Sequence, residues 1–189
     1  MHEQLTKYIT DHSPLKEEHL QQVLSYFKPL RVKKNTLLSR IGEPSRRMFF
    51  INTGCLRVYF IKPDGREVTR RFAFENSFSS SLTSFIGGTI LKEATQAVEL
   101  SELLYIDRLD FYGLVDTVPG WDLFYRYCLE YAYVTNTRRL EDFITLSARE
   151  RYRLLLEENP EVVLRLPNKL VANYLNITQE ALSRIKSDI

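Results

Sequence analysis

The sequence predicts an α+β chain with three parts in order: a β-rich sandwich or closed roll, a long helix, and a terminal helix-turn-helix. Three observations predict it. Between Leu30 and Asp107, short segments rich in β-branched and aromatic residues alternate with turn signals. From Trp121 to Glu158 the chain contains neither Gly nor Pro. The final stretch, LPNKLVANYLNITQEALSRIKSDI, carries two apolar helical faces separated by a short break.

Ahead of the β region, Leu5, Tyr8 and Ile9 fall at helical spacing, as do Leu20, Val23, Leu24 and Phe27. Ser13-Pro14 followed by Glu17 predicts a helix start with Ser13 as its cap, and Pro29 ends the run. The expected strands are Arg47–Asn52, Cys55–Lys62, Glu67–Phe74, Thr95–Glu99 and Leu103–Asp107. Turn residues at Gly42-Glu43-Pro44, Asn52-Thr53-Gly54, Pro63-Asp64-Gly65 and Gly87-Gly88 punctuate them. The stretch VYFIKPDGREVTRRF reads as a hairpin closed by the Pro-Asp-Gly turn.

After Pro119-Gly120 the uninterrupted run exceeds an average helix. It predicts one long helix, a bend near Thr145–Ser147 and a shorter second helix. Ser147 and Glu150 form a capping box for that second helix, and Asn159-Pro160 breaks it. Leu123, Tyr127, Tyr131 and Val134 make a stripe that continues loosely to Arg138 and Glu141. The stripe either faces a partner subunit or packs on the N-terminal half.

In the terminal segment, Leu170, Val171, Tyr174 and Leu175 share one face, and Ala181, Leu182 and Ile185 share another. Asn176-Ile177-Thr178 makes the break, with Thr178 as cap, Ile177 as a plug and the small Ala172 at the helix contact. Gln179, Glu180, Ser183 and Arg184 project outward with the chemistry of base-edge recognition. Lys169, Thr178 and Lys186 are placed to hold phosphates. On residue type alone the hairpin either reads DNA or simply turns polar residues to solvent.

Composition narrows the alternatives. The 189 residues are 44% hydrophobic and 26% charged, as in ordinary globular chains. A net charge of +2 means that any nucleic-acid site must arise from local clustering. Cys55 and Cys128 cannot supply the four thiolates of an iron–sulfur cluster, and their spacing suggests no disulfide framework. His2, His12 and His19 all lie in the leading helical region, where a solvated face is expected. With no later histidine, a cupin-type metal site and Ser/His or Cys/His nucleophiles are excluded, and neither enzyme activity, metal nor cofactor is expected. No apolar stretch is long enough to span a bilayer and the N-terminal residues are polar, so a soluble cytoplasmic protein is expected.

The string LVANYLNITQEALSRIKSDI resembles the recognition segment of Crp/Fnr-family regulators, and Glu180 and Arg184 fall at positions that read the major groove in that family. IGEPSRRMFFINTGCLRVYFIKPDGREVTRRF is similar to the first hairpins of the family's cyclic-nucleotide-binding roll. TQAVELSELLYIDRLDF resembles its closing strands, and Trp121–Thr145 falls at its dimer helix. The resemblance implies an N-terminal double-stranded β-helix (jelly-roll) sensor domain over 1–118, a dimerisation helix over 119–146, and a DNA-binding helix-turn-helix over 147–189. It implies a homodimer on double-stranded DNA, with RNA polymerase as a candidate partner and a small-molecule effector of unknown identity. The rival reading is a ligand-binding roll whose helical tail makes protein contacts only.

The sequence also departs from the family. Cyclic-nucleotide binders hold the phosphate with a Gly-Glu-Leu motif and an Arg-Ser pair; here Ser80-Ser81-Leu82 and Leu91-Lys92 fall at those places. No arginine occurs between Arg71 and Arg108, so cyclic AMP is not expected to bind in the usual way. Ser79, Ser80, Ser81 and Thr83, with Asn136 and Thr137 from the long helix, either line a pocket for a different effector or form a solvated loop. Arg70-Arg71 either meets an anion or stands on a solvated edge. Family members often carry a β-hairpin wing after the recognition helix; here the sequence ends at Ile189, and lack of a wing would lower affinity without changing the bases read.

Overall fold

A computed structural model describes residues 2–188; Met1 and Ile189, the outer ends of the first and last expected domains, lie outside the described residues. The leading helices are α1 (Glu3–His12) and α2 (Glu17–Ser25), burying Leu5, Ile9, Leu20, Val23 and Leu24. Helix α2 is capped at Lys16 and not at Ser13. The Ser13 hydroxyl instead donates to the Gly120 carbonyl at 3.1 Å, a tertiary bond that displaces the local cap. The histidines also differ from the solvated expectation, all three being half-buried. The His12 ring stacks on Tyr127 with centroids 4.2 Å apart, because imidazole offers an apolar face as well as a polar edge.

Eight strands follow: β1 (Lys28–Val32), β2 (Leu37–Ser39), β3 (Arg47–Thr53), β4 (Leu56–Ile61), β5 (Glu67–Ala73), β6 (Ser77–Ser79), β7 (Ala94–Ala97) and β8 (Ser101–Asp107). They form two four-stranded sheets, ordered β1-β8-β3-β6 and β2-β7-β4-β5. A short helix, α3 (Leu82–Gly87), lies between β6 and β7. Pro29 sits in β1, at a sheet edge where its missing N–H costs no ladder bond.

Strand β3 shows why its sequence, RMFFINT, lacks alternation. Met48 and Phe50 pack with α1, α2, Trp121 and Phe124, whereas Phe49 and Ile51 pack with Leu56, Ala73 and Ala97 of the other sheet. Strand β8 divides likewise, Leu104 and Ile106 to the helices and Leu103 to the sheet. A sheet covered on both faces needs apolar residues at successive positions.

Helices complete the chain: α4 (Arg108–Thr117), α5 (Trp121–Thr145), α6 (Ala148–Glu158), α7 (Pro160–Arg165), α8 (Asn168–Leu175) and α9 (Gln179–Ser187). The bend between α5 and α6 carries the full capping box: Glu150 N–H donates to Ser147 Oγ at 3.3 Å, and Ser147 N–H donates to Glu150 Oε2 at 2.8 Å. The chain divides into two compact units. One joins the residues up to Val58 with Phe72–Glu130; the other joins Tyr59–Arg71 with the residues from Tyr131 onward. The outer part of the β4–β5 hairpin therefore groups with the C-terminal helices.

Within that second unit, two arginines order the helices. The Arg139 guanidinium lies 3.7 Å from the Tyr174 ring centroid and 4.9 Å from that of Phe143, and Arg151 covers the same Phe143 ring at 4.6 Å. Arg139 donates to the Tyr174 carbonyl at 2.8 Å, and Arg151 donates to the Leu146 and Leu175 carbonyls at 2.6 and 3.3 Å. These carbonyls lie at the ends of α5 and α8, where helices leave acceptors without an internal partner.

Two predictions follow from these contacts. Gly54 has φ +100°, and a Cβ there would fall 2.7 Å from Ser101 Cβ and 2.8 Å from the Leu100 carbonyl. Gly54→Ala is expected to lower stability by about 1–3 kcal/mol, read as a shifted urea midpoint. Arg139→Leu keeps apolar bulk but strips the Tyr174 carbonyl of its donor; a loss of about 1.5–3 kcal/mol is expected in the same assay, and an unchanged midpoint would refute the ordering role.

Candidate nucleic-acid interface

Helices α8 and α9 form a tight pair because their facing sides are apolar and one carries a small residue. Val171, Ala172 and Leu175 of α8 and Leu182 of α9 are buried. The connection turns on Asn176, whose φ of 55° and ψ of 42° place it in the left-handed region that Asn tolerates. The Ile177 amide donates to the Ala172 carbonyl at 3.0 Å, and Ile177 itself is half-buried at the edge of the contact. Thr178 then caps α9, its hydroxyl accepting from the Ala181 amide at 3.2 Å.

This packing dictates what α9 turns outward. With Leu182 inward, Gln179, Glu180, Ser183 and Arg184 are exposed along one line at i, i+4 spacing. The Glu180 carboxyl is held below its ordinary range, chiefly by its own backbone amide and then by the Thr178 hydroxyl, so it is an acceptor at neutral pH. Lys169 stands exposed in the first turn of α8. Lys186 is half-buried and donates to Asn168 Oδ1 at 2.6 Å, which ties the two helices and leaves two N–H groups of the ammonium.

The expected effector residues occupy different settings. Ser79 and Ser81 are buried, Ser80 is half-buried and Thr83 is exposed on α3. The Ser79 hydroxyl has no hydrogen-bond partner among the described residues. On α5, Asn136 is exposed and accepts from Arg70 Nη1 at 3.2 Å, while Thr137 is half-buried. An arginine is buried within the sheets after all: Arg57 of β4 donates to Gln96 Oε1 at 2.8 Å.

Several residues that shape this region escape a reading by sequence. Arg139 and Arg151 carry the helix contacts, whereas the stripe on α5 drew attention to Arg138 and Glu141. Lys62 and Arg66, flanking the Pro63-Asp64-Gly65 turn, share a cleft with Lys169 and the start of α9. Their basic character is visible in the sequence, but their proximity to residues a hundred positions away is not. No helix among the described residues is long and apolar enough to cross a membrane.

Comparison with known proteins places this geometry. Residues 29–118 match the cyclic nucleotide-binding domain family. No curated protein matches the sequence. Among solved structures, the chain is similar to CLP of Xanthomonas campestris at 16% identity and a TM-score of 0.72, with 92% of this chain and 91% of that one covered. It is similar to a protein described as a Crp/Fnr-family regulator of Eubacterium rectale at 16% identity and a TM-score of 0.74, covering 95% and 85%. A CooA variant of Carboxydothermus hydrogenoformans is similar at 20% identity and a TM-score of 0.71, covering 88% and 78%. The chain thus has the fold of the Crp/Fnr regulators, and its residues 29–118 belong to the cyclic nucleotide-binding domain family.

Proposed function

We propose that this protein is a homodimeric transcription regulator that reads double-stranded DNA through α9. The observation that carries the reading is the exposed line of Gln179, Glu180, Ser183 and Arg184 opposite the buried Leu182. Arg184 is suited to guanine O6 and N7, Glu180 to the cytosine amino group and Gln179 to adenine. Lys169, Thr178 and Lys186 hold backbone phosphates and so set the docking register.

The dimer seam runs along the distal part of α5. Tyr133, Leu140 and Ile144 are 73%, 60% and 74% exposed. With Thr137 they follow 4-3-4 spacing, the a/d repeat of two packed helices. The line differs from the one through Tyr127, which packs on His12. Two copies joined there present two α9 helices to adjacent major grooves of a two-fold site.

The effector is one that does not rely on an arginine between Arg71 and Arg108, which the sequence lacks. CLP, whose fold this chain shares, is a cyclic di-GMP-responsive regulator, so the architecture serves effectors beyond cyclic AMP. The buried hydroxyls of Ser79 and Ser81 suit a ligand that needs hydrogen bonds more than charge neutralisation. Effector binding acts by changing the packing of α5 and hence the placement of the two recognition helices.

Selection from random duplexes at two salt concentrations, with and without a metabolite pool, tests the reading. A palindromic consensus is expected; no enrichment under any condition refutes it and favours a helical tail used for protein contacts. Arg184→Ala is expected to relax the preference at one position per half-site, costing about 1–3 kcal/mol there, whereas equal weakening on all sequences would demote Arg184 to a phosphate contact. Leu140→Asp is expected to shift the sedimentation profile from dimer to monomer, and an unchanged dimer would remove α5 as the seam.

A further inference from the structure

We infer that the tip of the β4–β5 hairpin is a second arm of the DNA interface, with Lys62 and Arg66 holding backbone phosphates beside the N-terminal end of α9. The inference rests on the DNA-reading function proposed above and extends it to residues outside the helix-turn-helix.

The hairpin and the helix pair face each other across a cleft of about 540 Å³. Lys62, Gly65 and Arg66 line one side; Lys169, Asn173 and Gln179 line the other. The cleft is held at one point, where Lys62 Nζ donates to Asn176 Oδ1 at 3.4 Å. That long contact at an exposed ammonium leaves the cleft unfilled and the lysine with further donors.

The tip itself is rigid. The Gly65 amide donates to the Lys62 carbonyl at 2.9 Å, and the Lys62 amide donates to the Arg66 carbonyl at 2.8 Å. Asp64 accepts from both the Arg66 amide and its Nε, at 3.0 and 2.6 Å. The same two bonds hold the Asp64 carboxyl below its ordinary range. Arg66 is thereby braced through Nε, and its terminal nitrogens remain for a second acceptor. A guanidinium fixed in this way loses little freedom on meeting a phosphate.

Position decides the class of ligand. In a helix-turn-helix complex the first turn of the recognition helix enters the groove and the preceding helix crosses the backbone. The cleft is bounded by that first turn, Gln179 and Glu180, and by Lys169 on the preceding helix. A strand running past α9 therefore passes the mouth of the cleft, where three cations stand. Glu67 and Glu180 also line it, so the surface acts through individual cation–phosphate contacts rather than through a uniform positive field. The occupant is a phosphodiester backbone.

The test uses the full chain and the duplex obtained by selection, with affinity followed across a series of salt concentrations. Lys62→Ala with Arg66→Ala is expected to leave the consensus unchanged and to reduce the slope of log affinity against log salt by about two, one for each lost phosphate contact. Lys62→Arg with Arg66→Lys is expected to restore the slope. A wild-type slope in the alanine variant, while Arg184→Ala still alters base preference, overturns the hairpin arm and spares the DNA reading. A lowered melting temperature with an unmoved slope overturns it too, because it assigns the lysine a purely structural role. If the wild-type chain selects no duplex, the DNA reading fails and this inference fails with it.

Discussion

The second compact unit depends on one aromatic ring gripped by two cations. Phe143 lies between the guanidinium groups of Arg139 and Arg151, and Arg139 lies in turn against Tyr174. Each arginine also donates to a carbonyl at the end of α8. The long helix, the bend after it and the first helix of the reading pair are therefore joined by contacts that are both directional and stacked. Such an arrangement has few alternative packings, because moving one guanidinium leaves a carbonyl unbonded and a ring face uncovered. A change in the set of α5 is then carried to α8 as a rigid displacement, and α9 follows because its apolar side is shut against α8.

The first unit is built on a different constraint. Its β3 and β8 are apolar on both faces, one toward helices and the other toward the second sheet. This leaves little interior polarity, and what there is collects at Ser79, Ser81, Ser84, Glu93 and Thr95. Ser84 is already used within the loop, its hydroxyl donating to the Ile90 carbonyl at 3.1 Å. The unpaired hydroxyl of Ser79 stands out in that setting, since a buried donor without a partner costs stability that a ligand or water can return.

Much of this was legible from the sequence, for reasons that can be named. The Pro63-Asp64-Gly65 hairpin, the Ser147/Glu150 box and the two faces around Asn176-Ile177-Thr178 are local patterns, and local patterns survive into the fold. Strands β1, β2 and β6 were not legible. They are short, and Ser77–Ser79 is a strand only because β3 lies beside it. Ser13 illustrates the opposite failure, a sound local signal overruled by a bond to Gly120, more than a hundred residues away. The outward residues of α9 were visible because the apolar residues between them gave the helix its phase. Arg139 was not, because its role depends on carbonyls and rings supplied by other helices.

The left-handed turn at Asn176 has a wider consequence. It confines the structural demands of the reading pair to the turn, the cap and the buried face, all of which lie away from Gln179, Glu180, Ser183 and Arg184. Those four side chains support almost none of the packing, so they are free to drift without unfolding the pair. A lineage carrying this scaffold can acquire new target sites through a few exchanges on one helical face, with the effector-responsive half left untouched.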